Sequence, residues 1–254
     1  MSENIQLVFI IPYRNRVEHK HFFERYMKYI LEDYDRSSYL LLYIHQTNER
    51  PFNRGAMKNI GFMYVKQTYP TQYKNMTFIF NDIDTLPYRK NLLEYVTVKG
   101  KVKHFFGFNF ALGGIFSIKG SDFEKIDGFP NYWQWGFEDN VIYKRVIENN
   151  ITVDRSNFYK IGSHQILHFC DAICKTLDKD VLSTQFDRKY KEKDGLSKLK
   201  NVKYNTDEEN MVDVSHFESY YSHINKNLVD YPVTNGSTIQ NPNKVNKKKT
   251  LLFL

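Results

Sequence analysis

An α/β fold built around a parallel sheet is predicted by three features of this 254-residue chain. Short continuous apolar runs, Leu7 to Ile11 and Met76 to Phe80, read as strands buried on both faces. They alternate with segments whose apolar residues recur at helical spacing, and each run ends in a polar loop. In open sheets of this kind ligands bind beyond the carboxyl ends of the strands, which marks the loops Pro12 to Arg16, Gln46 to Arg54 and Asn81 to Pro87 as site candidates.

The elements follow in order. The strand Leu7 to Ile11 is expected to stop at Pro12. Arg16 to Asp33 carries Phe22, Phe23, Tyr26, Met27, Ile30 and Leu31 near helical spacing, and Tyr39 to His45 is the next apolar strand. Gly55 to Thr68, with Met57, Ile60, Met63 and Tyr64, reads as a second helix, and Met76 to Phe80 as a third strand running into Asn81-Asp82-Ile83-Asp84. Gly-punctuated aromatic sequence fills Phe105 to Gly136, and a helix is expected over Glu138 to Glu148. The stretch Cys170 to Asn205 is strongly charged. The expected organisation is one domain over residues 1–232 and a disordered basic tail over 233–254.

The composition, 41% hydrophobic and 26% charged, excludes wholesale disorder. A chain this long buries enough surface to need neither disulfides nor a structural metal for its core. The net charge of +7 is compatible with nucleic acid, an anionic membrane or a phosphorylated substrate. The only dense basic run, Lys244 to Lys249, lies in the tail, so a nucleic-acid partner is not expected. Cys170 and Cys174 would share one face on a helix, and two cysteines are too few for a disulfide framework. No signal peptide and no membrane-spanning stretch is read from the sequence.

Four constellations carry chemistry. Asp82 and Asp84, two positions apart after an apolar strand, are hard oxygen donors suited to Mg²⁺ or Mn²⁺ carrying substrate phosphates; the competing reading is an ordinary capped turn. Arg14 and Arg16 after the first strand, with Phe52 and Arg54 after the second, offer guanidinium forks and an aromatic surface for a diphosphate and a uracil ring. Gly128 to Asn140 holds both tryptophans, Trp133 and Trp135, just before Glu138 and Asp139. An aromatic plane beside a carboxylate can stack on a sugar and take a hydroxyl proton, although the same residues could fill a core and open a helix. In the segment His164 to Asp171, His168 is either a satisfied core histidine or a metal ligand.

Read together and in order from about Ile10 to about Lys203, these residues resemble the β-1,4-galactosyltransferase family. Pro12-Tyr13-Arg14-Asn15-Arg16 resembles its opening strand and loop, and Phe52 to Phe62 its FNR helix. Asp82 to Pro87 is similar to its DVDLLP segment, and Gly128 to Asn140 to its GFPN and acidic turn. Phe186-Asp187-Arg188 and Asp194 to Leu199 resemble its closing motifs.

The resemblance implies a GT-A (Rossmann-like) α/β fold with a mixed central sheet. It also implies inverting transfer, with Mn²⁺, from a UDP-sugar to a hydroxyl of a saccharide acceptor. Pro12, Arg14, Arg16, Phe52, Arg54, Asp82 and Ile83 match positions that contact UDP; Asp84 and His168 match metal ligands. Trp135, Gly136, Phe137 and Glu138 match the acceptor and donor turn, and Asp139 the base. Residues from about Phe169 to Gln185 match a lid that closes over bound donor.

Departures from the family pattern are equally specific. Gln165 stands where galactosyl members hold the metal with a methionine, and Cys170 where another branch keeps a second histidine, so both are candidate third ligands. Ala111 replaces a bulky aromatic, which makes UDP-N-acetylgalactosamine as plausible a donor as UDP-galactose. Phe137 replaces a glycine and Asn140 an acid. With no counterpart of the family's anchor, stem or disulfide cysteines, the expectation is a cytoplasmic or host-cytoplasmic enzyme from a bacterium or virus. The competing classes are a polypeptide N-acetylgalactosaminyltransferase-like or polymerase-like GT-A enzyme, and a non-catalytic carbohydrate-binding relative.

Overall fold

The computed structural model describes residues 5–169, 174–178, 194–206, 210–220 and 228–232, with 174–178 and 228–232 described by backbone alone. Strand β1 (Leu7–Tyr13) is the centre of the sheet. It pairs in parallel with β2 (Tyr39–Gln46) on one side and β3 (Thr77–Asn81) on the other. The intervening helices are α1 (Val17–Ile30) and α2 (Arg54–Thr68). Because the chain steps from β1 to opposite sides, strand order reverses there, which opens a crevice at the carboxyl ends of these three strands.

The period-2 alternation of β1 shows why both helices are needed. Leu7, Phe9 and Ile11 join a core with Phe23, Met27 and Ile30 of α1. Val8 and Ile10 face the other way, into a core with Ala56, Met57 and Ile60 of α2. All seven strand residues are buried, as a continuous apolar run predicts. The strand runs through Pro12 instead of stopping before it. Pairing with β3 ends at Ile10, so Pro12 lies beyond that ladder, where a missing N–H costs little.

Beyond β3 the sheet turns antiparallel. After the short β4 (Thr85–Pro87) come β5 (Lys101–Gly107) and β6 (Ile115–Lys119), which pair with each other, β6 also pairing with β3. Then follow α3 (Gly120–Lys125), α4 (Glu138–Glu148), β7 (Thr152–Asp154) and β8 (Tyr159–Lys160), both strands parallel to β5. The helix predicted over Glu138 to Glu148 is α4, with the same bounds. After β9 (Ile166–His168) and β10 (Cys174–Asp178), the antiparallel pair β11 (Lys200–Thr206) and β12 (Met211–Glu218) completes the sheet, β12 lying parallel to β2. The order is β11-β12-β2-β1-β3-β6-β5-β7, with β8 also on β5. β10 pairs with β13 (Leu228–Pro232), and β4 with β9. Cys174 therefore opens a strand and not a helix face, while Cys170 lies outside the described residues. The expected tail, 233–254, also lies outside them. Among the described residues no helix is long and apolar enough to cross a membrane.

Candidate active site

The crevice is organised by the first two turns of α2. Asn53 caps the helix, its Oδ1 accepting from the Ala56 amide at 2.9 Å. Its Nδ2 reaches the Asn131 carbonyl at 3.0 Å. One turn further, Asn59 donates to the Phe129 carbonyl at 2.7 Å and accepts from the Phe129 amide at 2.9 Å. Asp194 closes the other side, accepting from the Asn131 backbone and side chain at 2.6 and 2.8 Å. The FNR helix, the GFPN loop and the DGL segment are thus one buried hydrogen-bond network. Its product is a fixed path for the turn that carries Trp135 to Asp139.

That turn is conformationally costly. Gln134 and Phe137 have φ of 69° and 65°, left-handed values that side chains disfavour, and Gly136 has 143°. Phe137, where the family pattern has glycine, keeps the glycine-like conformation and forms the N-cap of α4. Trp133 goes into the core, stacked on Phe217 at 5.1 Å with Arg50 4.7 Å above its ring. Trp135 is half-buried. The tryptophan pair therefore divides: Trp133 packs in the core, and Trp135 stays partly exposed in the same turn.

Arg54 is the hub of the site. Its NH2 contacts both oxygens of Asp82 at 2.7 and 2.6 Å, and its Nε contacts Asp82 Oδ1 at 3.1 Å. NH1 contacts Asp139 Oδ1 and Oδ2 at 3.1 and 3.0 Å and also donates to Glu138 Oε1. Every guanidinium nitrogen faces a carboxylate, so a diphosphate would compete with these acids for Arg54. A cation this far from water is held by the three acids around it, and its role is to gather them.

The acids are set apart by their surroundings. Burial acts to raise Asp82, but Arg54 and Lys58 outweigh it and hold Asp82 well below the usual carboxylate range. Burial raises Asp139, and Glu138 and Asp82 add to that; here the two cations do not cancel it. Environments that push neighbouring carboxyls in opposite directions separate a permanent anion from a group able to take a proton. Glu138 is buried, and its Oε2 accepts from the Gly136 amide at 3.2 Å. With one oxygen on Arg54 and the other on the Gly136 amide, Glu138 braces the turn.

Asp139 is placed from behind by Gly113. A Cβ at that position would lie 2.4 Å from Asp139 Oδ2, and the neighbouring Leu112 amide donates to the Asp139 carbonyl at 2.9 Å. The loop is pinned in turn by the buried His104, whose Nε2 lies 3.0 Å from the Phe106 carbonyl and 3.2 Å from that of Gly113. Burial and the nearby Arg155 push His104 down to about 4.

At the other lip, Arg16 NH1 lies 3.5 Å from Asp84 Oδ2 and has no hydrogen-bond partner, although it is buried. Arg14 is turned aside, donating to the Arg50 carbonyl. Pro12 and Ile83 are buried, and Phe52 packs partly against the core while its carbonyl accepts from the Gln134 amide at 2.9 Å.

The β4–β9 ladder brings His168 opposite Thr85, and the Phe169 amide donates to the Asp84 carbonyl at 2.8 Å. Asp84 and His168 are thus neighbours. The Gln165 carbonyl accepts from the Tyr88 amide at the other end of the ladder, and its side chain is exposed. Among the described residues no third His, Cys, Asp or Glu joins a metal-binding group. Cys170, most of the expected lid and the Phe186 motif lie outside the described residues.

Fold and site define an α/β protein with an acid-lined crevice at the switch point of its sheet, the architecture of a GT-A domain. Two family models locate it further. The one described as the N-terminal region of glycosyl transferase group 7 matches residues 2–95, and the one described as the N-terminal domain of galactosyltransferase matches residues 96–169. The chain belongs to the group 7 galactosyltransferase family.

Among similar proteins, β-1,4-galactosyltransferase 1 of Bos taurus is 32% identical over 165 residues, covering 60% of this chain and 39% of the relative. Xylosylprotein 4-β-galactosyltransferase of Caenorhabditis elegans is 28% identical over 226 residues, covering 83% and 74%. The catalytic domain of Drosophila β1,4-galactosyltransferase 7, in complex with xylobiose, superposes with a TM-score of 0.65 at 20% identity, covering 83% of this chain and 94% of that one. A mutant of the same Drosophila protein, in complex with manganese, UDP-Gal and xylobiose, gives 0.63. The α/β GT-A expectation is met. This chain spans 39% of the length of the mammalian β-1,4-galactosyltransferase 1 relatives. These relatives are animal proteins and lend no support to a bacterial or viral source.

Proposed function

We propose that this chain transfers galactose from UDP-galactose to a hydroxyl of a saccharide acceptor, with inversion and with Mn²⁺. The observation that carries this reading is Asp139. It is a carboxylate raised by burial, fixed by Arg54 and backed by Gly113, beside the half-buried Trp135 at the carboxyl ends of the sheet. The names of the similar proteins, and the manganese and UDP-Gal bound to one of them, support it.

Asp139 accepts the proton of the acceptor hydroxyl as that oxygen attacks the anomeric carbon from the side opposite the departing UDP. A carboxylate has about four lone-pair positions, so the contact with Arg54 leaves room for this proton. Trp135 offers its plane to the sugar. Arg16, and Arg14 once released from the Arg50 carbonyl, answer the diphosphate charge.

Asp84 and His168 fit Mn²⁺, a hard carboxylate and an imidazole held adjacent by a ladder, with Arg16 standing in as the cation on Asp84. When bound, the ion would supply Lewis-acid stabilisation of the leaving group. Gln165, exposed next to the ladder, and Cys170, outside the described residues, are the two candidate third ligands.

The small side chain of Ala111, next to Leu112, keeps UDP-N-acetylgalactosamine as the second donor to test. The experiment is a donor-by-acceptor screen for UDP release with Mn²⁺, with the anomeric configuration of the product read by NMR. A β-linked galactoside is expected. An α-linked product, or no acceptor-dependent release from either donor, would refute the reading.

A further inference from the structure

The sequence reading gives Lys58 no role, yet its side chain is 1% exposed and its ammonium lies between two of the acids. Nζ is 3.5 Å from Asp82 Oδ1 and 3.7 Å from Asp139 Oδ1. The same ammonium stands 4.6 Å over the ring of Phe129. Lys58 follows Arg54 by one helical turn, so both cations leave the same face of α2. A buried lysine is expensive unless paired, and a helix face packed on an apolar core would more simply carry leucine or methionine. What the position gains is charge: three carboxylates, Asp82, Glu138 and Asp139, surround the single guanidinium of Arg54.

The two cations differ in where they stand. Arg54 has 15% of its side chain exposed, whereas Lys58 lies on the floor of the site. An entering diphosphate therefore competes for Arg54 and not for Lys58. Resting on the function proposed above, we propose that Lys58 is a positioning residue. By tying Asp139 Oδ1 and Asp82 Oδ1 to one buried ammonium, it keeps the base in place while the donor engages Arg54, leaving Asp139 Oδ2 to receive the proton. The contact to Asp82 is at the long limit of a hydrogen bond and that to Asp139 is beyond it, so Lys58 acts chiefly as a charge shared by two acids.

The test pairs Lys58→Met, a near-isosteric loss of charge, with Lys58→Arg, which keeps it. For Lys58→Met, kcat is expected to fall roughly 10- to 100-fold, the cost of a misplaced base, with donor KM and UDP affinity within about threefold of wild type. Lys58→Arg is expected to recover at least part of kcat. Unfolding in urea supplies a readout that needs no activity and survives a poorly folding variant. The loss of midpoint caused by Lys58→Met should be smaller in an Asp139→Asn background, because one of the two acids that Lys58 holds is then neutral. A kcat within about threefold of wild type, a parallel loss of kcat and UDP affinity, no recovery in Lys58→Arg, or additive stability effects would each overturn the inference. If wild type releases no UDP with any donor, the functional reading falls, while the urea cycle still decides whether Lys58 holds Asp139.

Discussion

Replacing Gly113 by alanine adds one methyl group directly behind the proposed base. The ideal Cβ falls 2.4 Å from Asp139 Oδ2 and 2.9 Å from its Cγ, whereas ordinary contact begins at about 3.4 Å, so the carboxylate must retreat by about 1 Å. Gly113 does not sit at a left-handed φ, so alanine adds no backbone strain of that kind. Asp139 cannot swing freely, because Arg54 NH1 holds both its oxygens. A displacement of this size at a reacting group costs about 10²-fold in rate, or about 2.7 kcal/mol of barrier. Stability should fall by about 1–3 kcal/mol, the usual range for overpacking. The assay is kcat for acceptor-dependent UDP release, with UDP affinity and a urea midpoint as controls. A Gly113→Ala protein that keeps kcat within about threefold would show that Asp139 need not stand where the structure puts it.

Three further outcomes follow from the same cluster. Arg54→Met leaves Asp82 and Asp139 with Lys58 as their one nearby cation among the described residues and takes from Glu138 its ion-pair partner, and should destabilise by about 3–5 kcal/mol in denaturant titration; a loss below about 1 kcal/mol would contradict the hub role. Asp139 is raised, so kcat should decline as pH falls through a value above the ordinary carboxylate range. Asp82 is lowered, so its contribution to stability is present above that range and is lost only as pH falls towards its folded value; activity should disappear at higher pH than the fold. Coincident loss in rate and circular-dichroism profiles would refute the separation. Asp84→Ala should remove most of the Mn²⁺ dependence of UDP binding measured by calorimetry, and an unchanged dependence would take Asp84 out of the ligand set.

The fold was legible because its signals are local. The apolar runs of β1, β2 and β3 and the helical spacing of α1, α2 and α4 each declare themselves within a few residues. Even the discrepancy at Pro12 has a local cause, since the β3 ladder stops two residues earlier. Asp82 was legible because it follows an apolar strand, and Arg54, Trp135 and Asp139 because charged and aromatic residues cluster in short motifs.

What the sequence could not show depends on approach between distant segments. Nothing near Gly113 announces that Asp139 lies behind it, and nothing near Asn131 announces Asn59 and Asp194. Lys58 looks like a solvated helix residue until α2 is laid against β3 and α4; its one signal was its position one turn after Arg54 in a helix whose other residues there are apolar or small. That Arg54 would be ringed by Asp82, Glu138 and Asp139 was hidden for the same reason. A sequence names the charges but not which of them will neutralise one another.

The central claim is that Asp139 is the base of a sugar transfer assembled on Arg54. Asp139→Asn keeps the shape of the side chain and removes its ability to take a proton, so acceptor-dependent UDP release with Mn²⁺ should fall by at least about 10²-fold while UDP affinity stays within about threefold. Wild-type turnover in Asp139→Asn would contradict the account.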